Sequence, residues 1–287
     1  MSEPLLTLDN TAIVLDSTCD APEGFFERDG LYMVPLRVHF GDESFRDGVD
    51  LGHDAFFAKL EKSEVLPTTS QPTDGEFAAA FEEARRRYEH VFSLHISRKM
   101  SGTFQAAERA AQGFDGVEVY DLKTVSAAMA MCAERLRARL EPGCTLAEAR
   151  AYIEHFSAHS QLLVHAATLE YLRRGGRIGR AASLVGGVFD IKPLIYCVDG
   201  ELTPYAKVRG QKKAFAAMER FLDEHSTPDD ELHYCLIDAL NPDEIALVDE
   251  LIKRVRPKAH FHFRGRVGAV VGTHIGPGTT AFALIVE

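Results

Sequence analysis

The chain has no C-x-x-C pair. Its five cysteines stand apart at 19, 132, 144, 197 and 235. An odd, dispersed set fits a reducing cytosol better than a disulfide framework. Clustered metal ligands are also lacking. The nearest approach is His260 and His262 in "HFHF", and alternation at i, i+2 puts both on one face of a half-exposed strand. No run of 18 apolar residues occurs, so no membrane span is expected. The stretch "MSEPLLTLDNTAIVLDS" has no basic segment leading into an apolar one, so no signal peptide is expected. Positive charge is in short supply: 32 Lys and Arg stand against 43 Asp and Glu, a net charge of −11. Such a chain has no reason to seek nucleic acid or an anionic membrane as its main partner. It has neither a G-x-x-x-x-G-K-[ST] loop nor a G-x-G-x-x-G turn after a strand, and so no nucleotide loop of its own. A G-x-S-x-G elbow is absent as well.

What is present is a chain of 287 residues, 46% of them hydrophobic. That suffices for a real core and favours two domains over one. Strand-like and helix-like stretches alternate. "AIVLDST" (12–18) and "YMVPLRVHF" (32–40) read as strands, and 53–63 as a helix before the turn-rich "PTTSQPTDG". The stretch 74–89 has acids early and arginines late, as the helix dipole prefers. Strand 90–97, helix 102–112, strand "VEVYDL" and helices 126–140 and 145–159 follow. This rhythm predicts a mainly parallel α/β sheet. Beyond about residue 160 it changes. "IKPLIYCVDGELTPYAKVRG" places strands around an Asp-Gly turn, which predicts a hairpin and a mixed sheet. Helices over 211–224 and 242–255 alternate with "LHYCLIDAL" and "HFHFRGRVGAVVG". The expected division is an N-terminal α/β domain over 1–162 and a C-terminal α/β domain over 163–287, with the last strand, "TTAFALIVE", able to return to either.

Four segments end strands with hydroxyls, glycine or charge: "DSTCD" (16–20), "PTTSQPTDGEF" (67–77), "SRKMSGTFQ" (97–105) and "THIGPG" (273–278). In open α/β sheets ligands bind beyond the carboxyl ends of the strands. Hydroxyls and helix N-terminal N–H groups gathered there form an anion site. Each segment also has an ordinary structural reading. Thr73 or Ser101 serves as a helix N-cap, Asp16 caps a turn, and His274 sits in a glycine-proline loop.

Taken together, "IVLDSTCD", "PTTSQPTDGEF", "ISRKMSGTFQAA", "LEYLRRGGRIG", "IKPLIYCVDGELTPYAKVRG" and "HIGPGT" run in one order along nearly the whole chain. The set resembles the DegV family, the bacterial fatty-acid-binding proteins that serve as the lipid-carrying subunit of fatty acid kinase. The resemblance implies two α/β domains with the ligand between them. It also implies that a bound long-chain fatty acid is presented to a separate kinase subunit carrying ATP, giving an acyl phosphate for phospholipid synthesis. By the same resemblance Thr69, Ser101 and His274 bind the carboxylate. Ser17, Ser70, Gly102, Thr103, Ser126 and Gly276 are then neighbours of the pocket or head group. No cofactor or metal is implied beyond the fatty acid itself, the chain is not itself an enzyme, and its place is the cytoplasm, with transient membrane contact allowed.

"RRGGRIGR" (173–180) carries four arginines. It reads either as a solvated basic turn or as placing Arg177 near the phosphoryl site or the kinase surface. Arg209, Lys192 and Lys207 are further candidates for partner contact. One stretch departs from the family pattern. In "DLKTVSAAMAM" (121–131), Leu122 replaces a serine, and Ala128 and Ala130 stand where glycines are common. Alanine there is expected to narrow the acyl pocket. Two other functions use the same residues: a lipid sensor or store without a kinase, and a serine hydrolase built on Ser101, His274 and Asp16.

Overall fold

The computed structural model describes residues 5–184 and 192–287. Ile191 and the end of "RAASLVGG" lie outside the described residues. The first sheet holds β1 (Thr11–Asp16), β2 (Leu31–Val34), β6 (His90–His95) and β7 (Val117–Asp121), in the order β2-β1-β6-β7 and parallel throughout. The second holds β8 (Gln161–His165), β9 (Lys192–Val198), β10 (Glu201–Val208), β11 (Leu232–Asp238), β12 (His260–Arg266) and β13 (Thr280–Val286). Its order is β10-β9-β8-β13-β11-β12, antiparallel except for the β11–β12 pair. The molecule is thus α/β, with a parallel sheet early in the chain and a mixed one late. The β9–β10 hairpin turns at Asp199-Gly200, both at positive φ, as expected of an Asp-Gly turn. The last strand settles in the second sheet, between β8 and β11.

Residues 32–40 do not form one strand. Pro35 divides them into β2, in the parallel sheet, and β3 (Arg37–Phe40), which pairs antiparallel with β4 (Glu43–Arg46) and β5 (Thr68–Ser70). Proline has no N–H to give a ladder, so the chain changes sheets there. The short β5 also lifts Thr69 out of what reads as a turn and seats it opposite Val38.

Helices cover the sheets: α1 (His53–Lys62), α2 (Asp74–Arg85), α3 (Thr103–Ala111), α4 (Ala127–Leu140), α5 (Leu146–His159), α6 (Glu170–Arg174), α7 (Gln211–His225), α8 (Pro242–Val255) and α9 (Ala269–Ile275). Capping boxes at Thr73 with Glu76 and at Thr145 with Glu148 start α2 and α5. The strand alternation divides the core. Ile13 and Leu15 of β1 face the core shared with the second sheet, while Ala12 and Val14 face α2 and α3. On β13, Ala281, Ala283 and Ile285 face the shared core, and Phe282 and Leu284 face α7 and α8. Helix α4 lies between the two sheets, touching β1 and β6 on one side and β11, β12 and β13 on the other. A helix covered on both sides is apolar all round, and every residue from Ala127 to Ala133 is fully buried.

The stretch "AVVGTHI" continues no strand. It is α9, started by Gly268 and ended by Gly276.

Candidate functional site

Because β1, β6 and β7 are parallel, the segments after Asp16, His95 and Asp121 leave the sheet at one edge. Thr18, Ile96, Met100, Ser101 and Val125 from those segments face a cleft. The second half of the chain closes it with Leu172 of α6, Leu202 of β10 and Val270, Val271, His274 and Ile275 of α9. Leu36, in the link before β3, and Thr69 of β5 complete the wall. Most of this lining is aliphatic. The polar groups are Thr18, Thr69, Ser101, Arg177 and His274.

Thr69 Oγ1 lies 2.9 Å from His274 Nε2. The other ring nitrogen of His274 is buried without a hydrogen-bond partner among the described residues. Burial, aided by the Arg177 charge, pushes the imidazole pKa down to about 4, so the ring is neutral at neutral pH. Gly276 ends the helix at φ +69, and a Cβ there would stand 2.2 Å from the Tyr171 ring. Only glycine allows both the left-handed turn and the close packing of α9 on α6. Ser101 Oγ is 2.8 Å from Thr103 Oγ1 and accepts from the Thr103 N–H at 3.3 Å. It therefore holds the turn just before α3, whose N-cap is Gly102, and faces the cleft at once. Gly102, just before α3, packs against the Gln71 side chain.

Arg177 donates to the carbonyl oxygens of Met100 and Gly175 at 3.2 and 2.7 Å. It has no carboxylate partner among the described residues. Thr69, Arg177 and His274 also border a second, more polar groove of about 920 Å³, lined in addition by Thr68, Tyr171, Arg174 and Thr273. The cluster is thus a partition between an apolar space and a polar one. Two hydroxyls, a neutral imidazole and one guanidinium can hold a carboxylate by hydrogen bonds without a fixed bidentate clamp.

The other sequence candidates are placed differently. Ser17 does not line the cleft; its Oγ donates to Asp47 Oδ2 at 2.9 Å and accepts from the Leu36 N–H at 3.0 Å. Ser70 points outward, to His39 Nε2 at 2.9 Å. Ser126 donates to Asp20 Oδ2. Arg209 is exposed just beyond β10, away from the cleft wall. Ala128 and Ala130 are buried in α4 between the sheets and do not border the cleft. There they help set the spacing of the two sheets. Leu122 is likewise buried core.

A hydrolase triad of Ser101, His274 and Asp16 is not assembled. Asp16 accepts from His95 Nδ1 at 3.0 Å, from the Ile96 N–H at 3.1 Å and from the Thr18 N–H at 3.0 Å. It ties the end of β1 to the end of β6, and among the described residues no carboxylate reaches His274. His260 stacks on His233, and His262 Nε2 lies 2.8 Å from His233 Nδ1. Among the described residues no group of three or more metal-ligating side chains is placed to hold an ion, and no helix is long and apolar enough to cross a membrane.

Thr18, Val270, Val271, Asp20 and Asp47 were not singled out as separate site residues by the sequence. The "DSTCD" segment marked the right turn, but alternation there could not tell Ser17 from Thr18. Read as a strand, "AVVG" hid a helical face.

Two α/β lobes enclosing an aliphatic cleft with a hydrogen-bonding cluster in its wall have the form of a container for an amphiphile. The sequence profile of the DegV family, described as an uncharacterised protein family, matches residues 10–287. DegV of Bacillus subtilis strain 168 is 31% identical over 272 residues, covering 94% of this chain and 96% of that one. The solved structure of that protein, described as a fatty acid binding protein, superposes with a TM-score of 0.86 at 30% identity, over 97% of this chain and 99% of the other. A DegV family protein from Thermus thermophilus, whose structure is described as showing fatty acid binding, superposes with a TM-score of 0.92 at 32% identity, over 97% and 100%. The chain belongs to the DegV family.

Proposed function

We propose that the cleft between the two domains, divided near residue 160, holds a long-chain fatty acid. Its carboxylate lies at Thr69, Ser101 and His274, and its tail lies among the aliphatic residues. The protein is a carrier in the cytoplasm that presents this carboxylate to a separate kinase subunit carrying ATP. The acyl phosphate formed then feeds phospholipid synthesis. The observation that supports this reading most is the partition itself: Thr69, Arg177 and His274 border both the apolar cleft and the polar groove. A carboxylate held there has its tail on one side and an open approach for a phosphoryl donor on the other. Arg177, unpaired among the described residues, is placed to meet that donor, and Arg209 belongs to the outer surface that a partner would touch.

Magnitudes divide the labour. Each buried methylene is worth about 0.8 kcal/mol, so a tail of about 14 methylenes contributes roughly 11 kcal/mol gross. A hydrogen bond to a charged group nets about 1.5–3 kcal/mol. The tail supplies affinity, and the hydroxyls and imidazole supply register. A cradle without a bidentate arginine clamp leaves one carboxylate oxygen free to attack. The test is reconstitution. The loaded protein alone should consume no ATP, and with an ATP-binding kinase subunit it should yield acyl phosphate. Acyl phosphate made by the chain alone, or none with any kinase subunit from a DegV-containing bacterium, would overturn the reading.

A further inference from the structure

Helix α9 supplies four of the cleft-lining residues, including His274, yet it has only seven residues and no side-chain cap of its own. Its N-terminus is held instead by two carboxylates from the other half of the chain. The Gly268 N–H donates to Asp20 Oδ1 at 2.7 Å, and the Ala269 N–H donates to Asp47 Oδ1 at 2.8 Å. The second oxygen of each is taken as well, by Ser126 and Ser17 respectively. Asp20 and Asp47 are 5% and 2% exposed. Both converge on one spot: a Cβ on Gly268 would stand 3.1 Å from an oxygen of each. Asp20 and Ser126, the two residues that meet across this network, both adopt positive φ, 42° and 64°, which side-chain-bearing residues seldom do unless their surroundings enforce it. At 1.5 Å of rise per residue, His274 lies about 7.5 Å along α9 from this grip.

We propose that Asp20 and Asp47 are positioning residues for lipid presentation, clamping the start of α9 to the N-terminal half so that His274 and the Val270–Val271 wall close on the fatty acid. The proposal rests on the carrier reading above. It goes beyond it in giving a role to two buried acids that touch neither lipid nor donor.

The clamp carries a charge dependence. Burial raises the Asp20 pKa to about 8 and the Asp47 pKa to about 6. Each is raised above its value in an unfolded chain, so the grip is complete at low pH and weakens as pH rises through these values and adds charge to the network. The other titratable or charged groups facing it are Asp16 and Cys19 beside the β1 turn, and His53 of α1, whose Nδ1 meets the Val267 carbonyl. Beyond them stand two ion pairs, Arg266 with Asp54 and Arg264 with Asp238. Burial raises the Cys19 thiol and lowers the His53 imidazole.

The test is exchange of bound radiolabelled palmitate against unlabelled palmitate, followed by rapid gel filtration from about pH 5 to about pH 9, which brackets both values. Wild-type release should quicken with rising pH by about tenfold, the equivalent of one pKa unit. The isosteric double variant Asp20→Asn/Asp47→Asn, checked by thermal unfolding to be folded, should lose that slope. Gly268→Ala, which drives a methyl group between the two carboxylates, should release palmitate about tenfold faster than wild type at pH 6, again the equivalent of one pKa unit. If the double variant does not fold, the single Asn variants and Gly268→Ala carry the test. Loading by wild type together with an unchanged slope in the Asn variants, or a wild-type rate in Gly268→Ala, overturns the clamp and leaves the carrier reading intact. No loading of wild type removes both.

Discussion

At the scale of single residues, the carrier reading separates holding from presenting. On that reading Ser101→Ala would remove one hydrogen bond to the ligand, worth about 1.5–3 kcal/mol, against roughly 11 kcal/mol gross from the tail. The variant should keep its lipid while partner-dependent acyl-phosphate formation falls about a hundredfold, the cost of about a 1 Å misplacement. Thr69→Val should act in the same direction, and His274→Ala more strongly, because Thr69 Oγ1 and His274 Nε2 are one hydrogen-bonded unit. Lipid content and acyl phosphate measured in the same preparations check this. An emptied Ser101→Ala pocket would show that the head group dominates affinity. Should neither quantity change, Ser101 only holds the turn that leads into α3. A pH prediction follows from the same imidazole. Burial lowers its pKa from 6.5 to about 4, so the unfolded chain takes the proton first, and stability falls as pH drops through that window. His274→Asn should flatten the decline of urea midpoint between those pH values. An unchanged decline would place the titrating group elsewhere.

At the scale of elements, much was legible and the failures have physical causes. Helices α2 and α5 announce themselves through Thr-x-x-Glu capping boxes, and the β9–β10 hairpin through Asp199-Gly200. Both are local chemistry that the sequence states outright. Helix α9 was hidden because its start is capped by Asp20 and Asp47, more than 200 residues away in the chain, and a distant cap leaves no local pattern. The family motifs single out Thr69, Ser101 and His274, which the fold brings to one cleft wall, whereas Thr18 and the α9 wall depend on which side chain turns inward, which only packing decides. Helix α9 also ends on a constraint that can be tested. Gly276→Ala would place a methyl group 2.2 Å from the Tyr171 ring in a left-handed backbone. We expect a loss of about 1–3 kcal/mol in denaturant unfolding. A neutral result would mean that α6 and α9 can part without cost.

On the scale of the whole molecule, the two sheets share one core through α4, whose alanines fix how closely they approach. Ala130→Leu should overpack that layer and cost about 1–3 kcal/mol, read as a lower denaturation midpoint for the chain as a whole. A change confined to lipid chain preference, with stability untouched, would instead place Ala130 on the pocket. The shared core explains why a cleft between the lobes can be both tight and apolar: its walls come from the β1, β6 and β7 ends on one side and from α6, β10 and α9 on the other. On the carrier reading a fatty acid in that space would complete the core, and its carboxylate would meet the cluster of hydroxyl, imidazole and guanidinium groups that the described residues place on the cleft wall. The decisive measurement is mass spectrometry of lipid extracted under denaturing conditions from the purified protein. The carrier reading predicts one long-chain fatty acid per chain. Absence of stoichiometric lipid, together with failure to take up added palmitate, would contradict it.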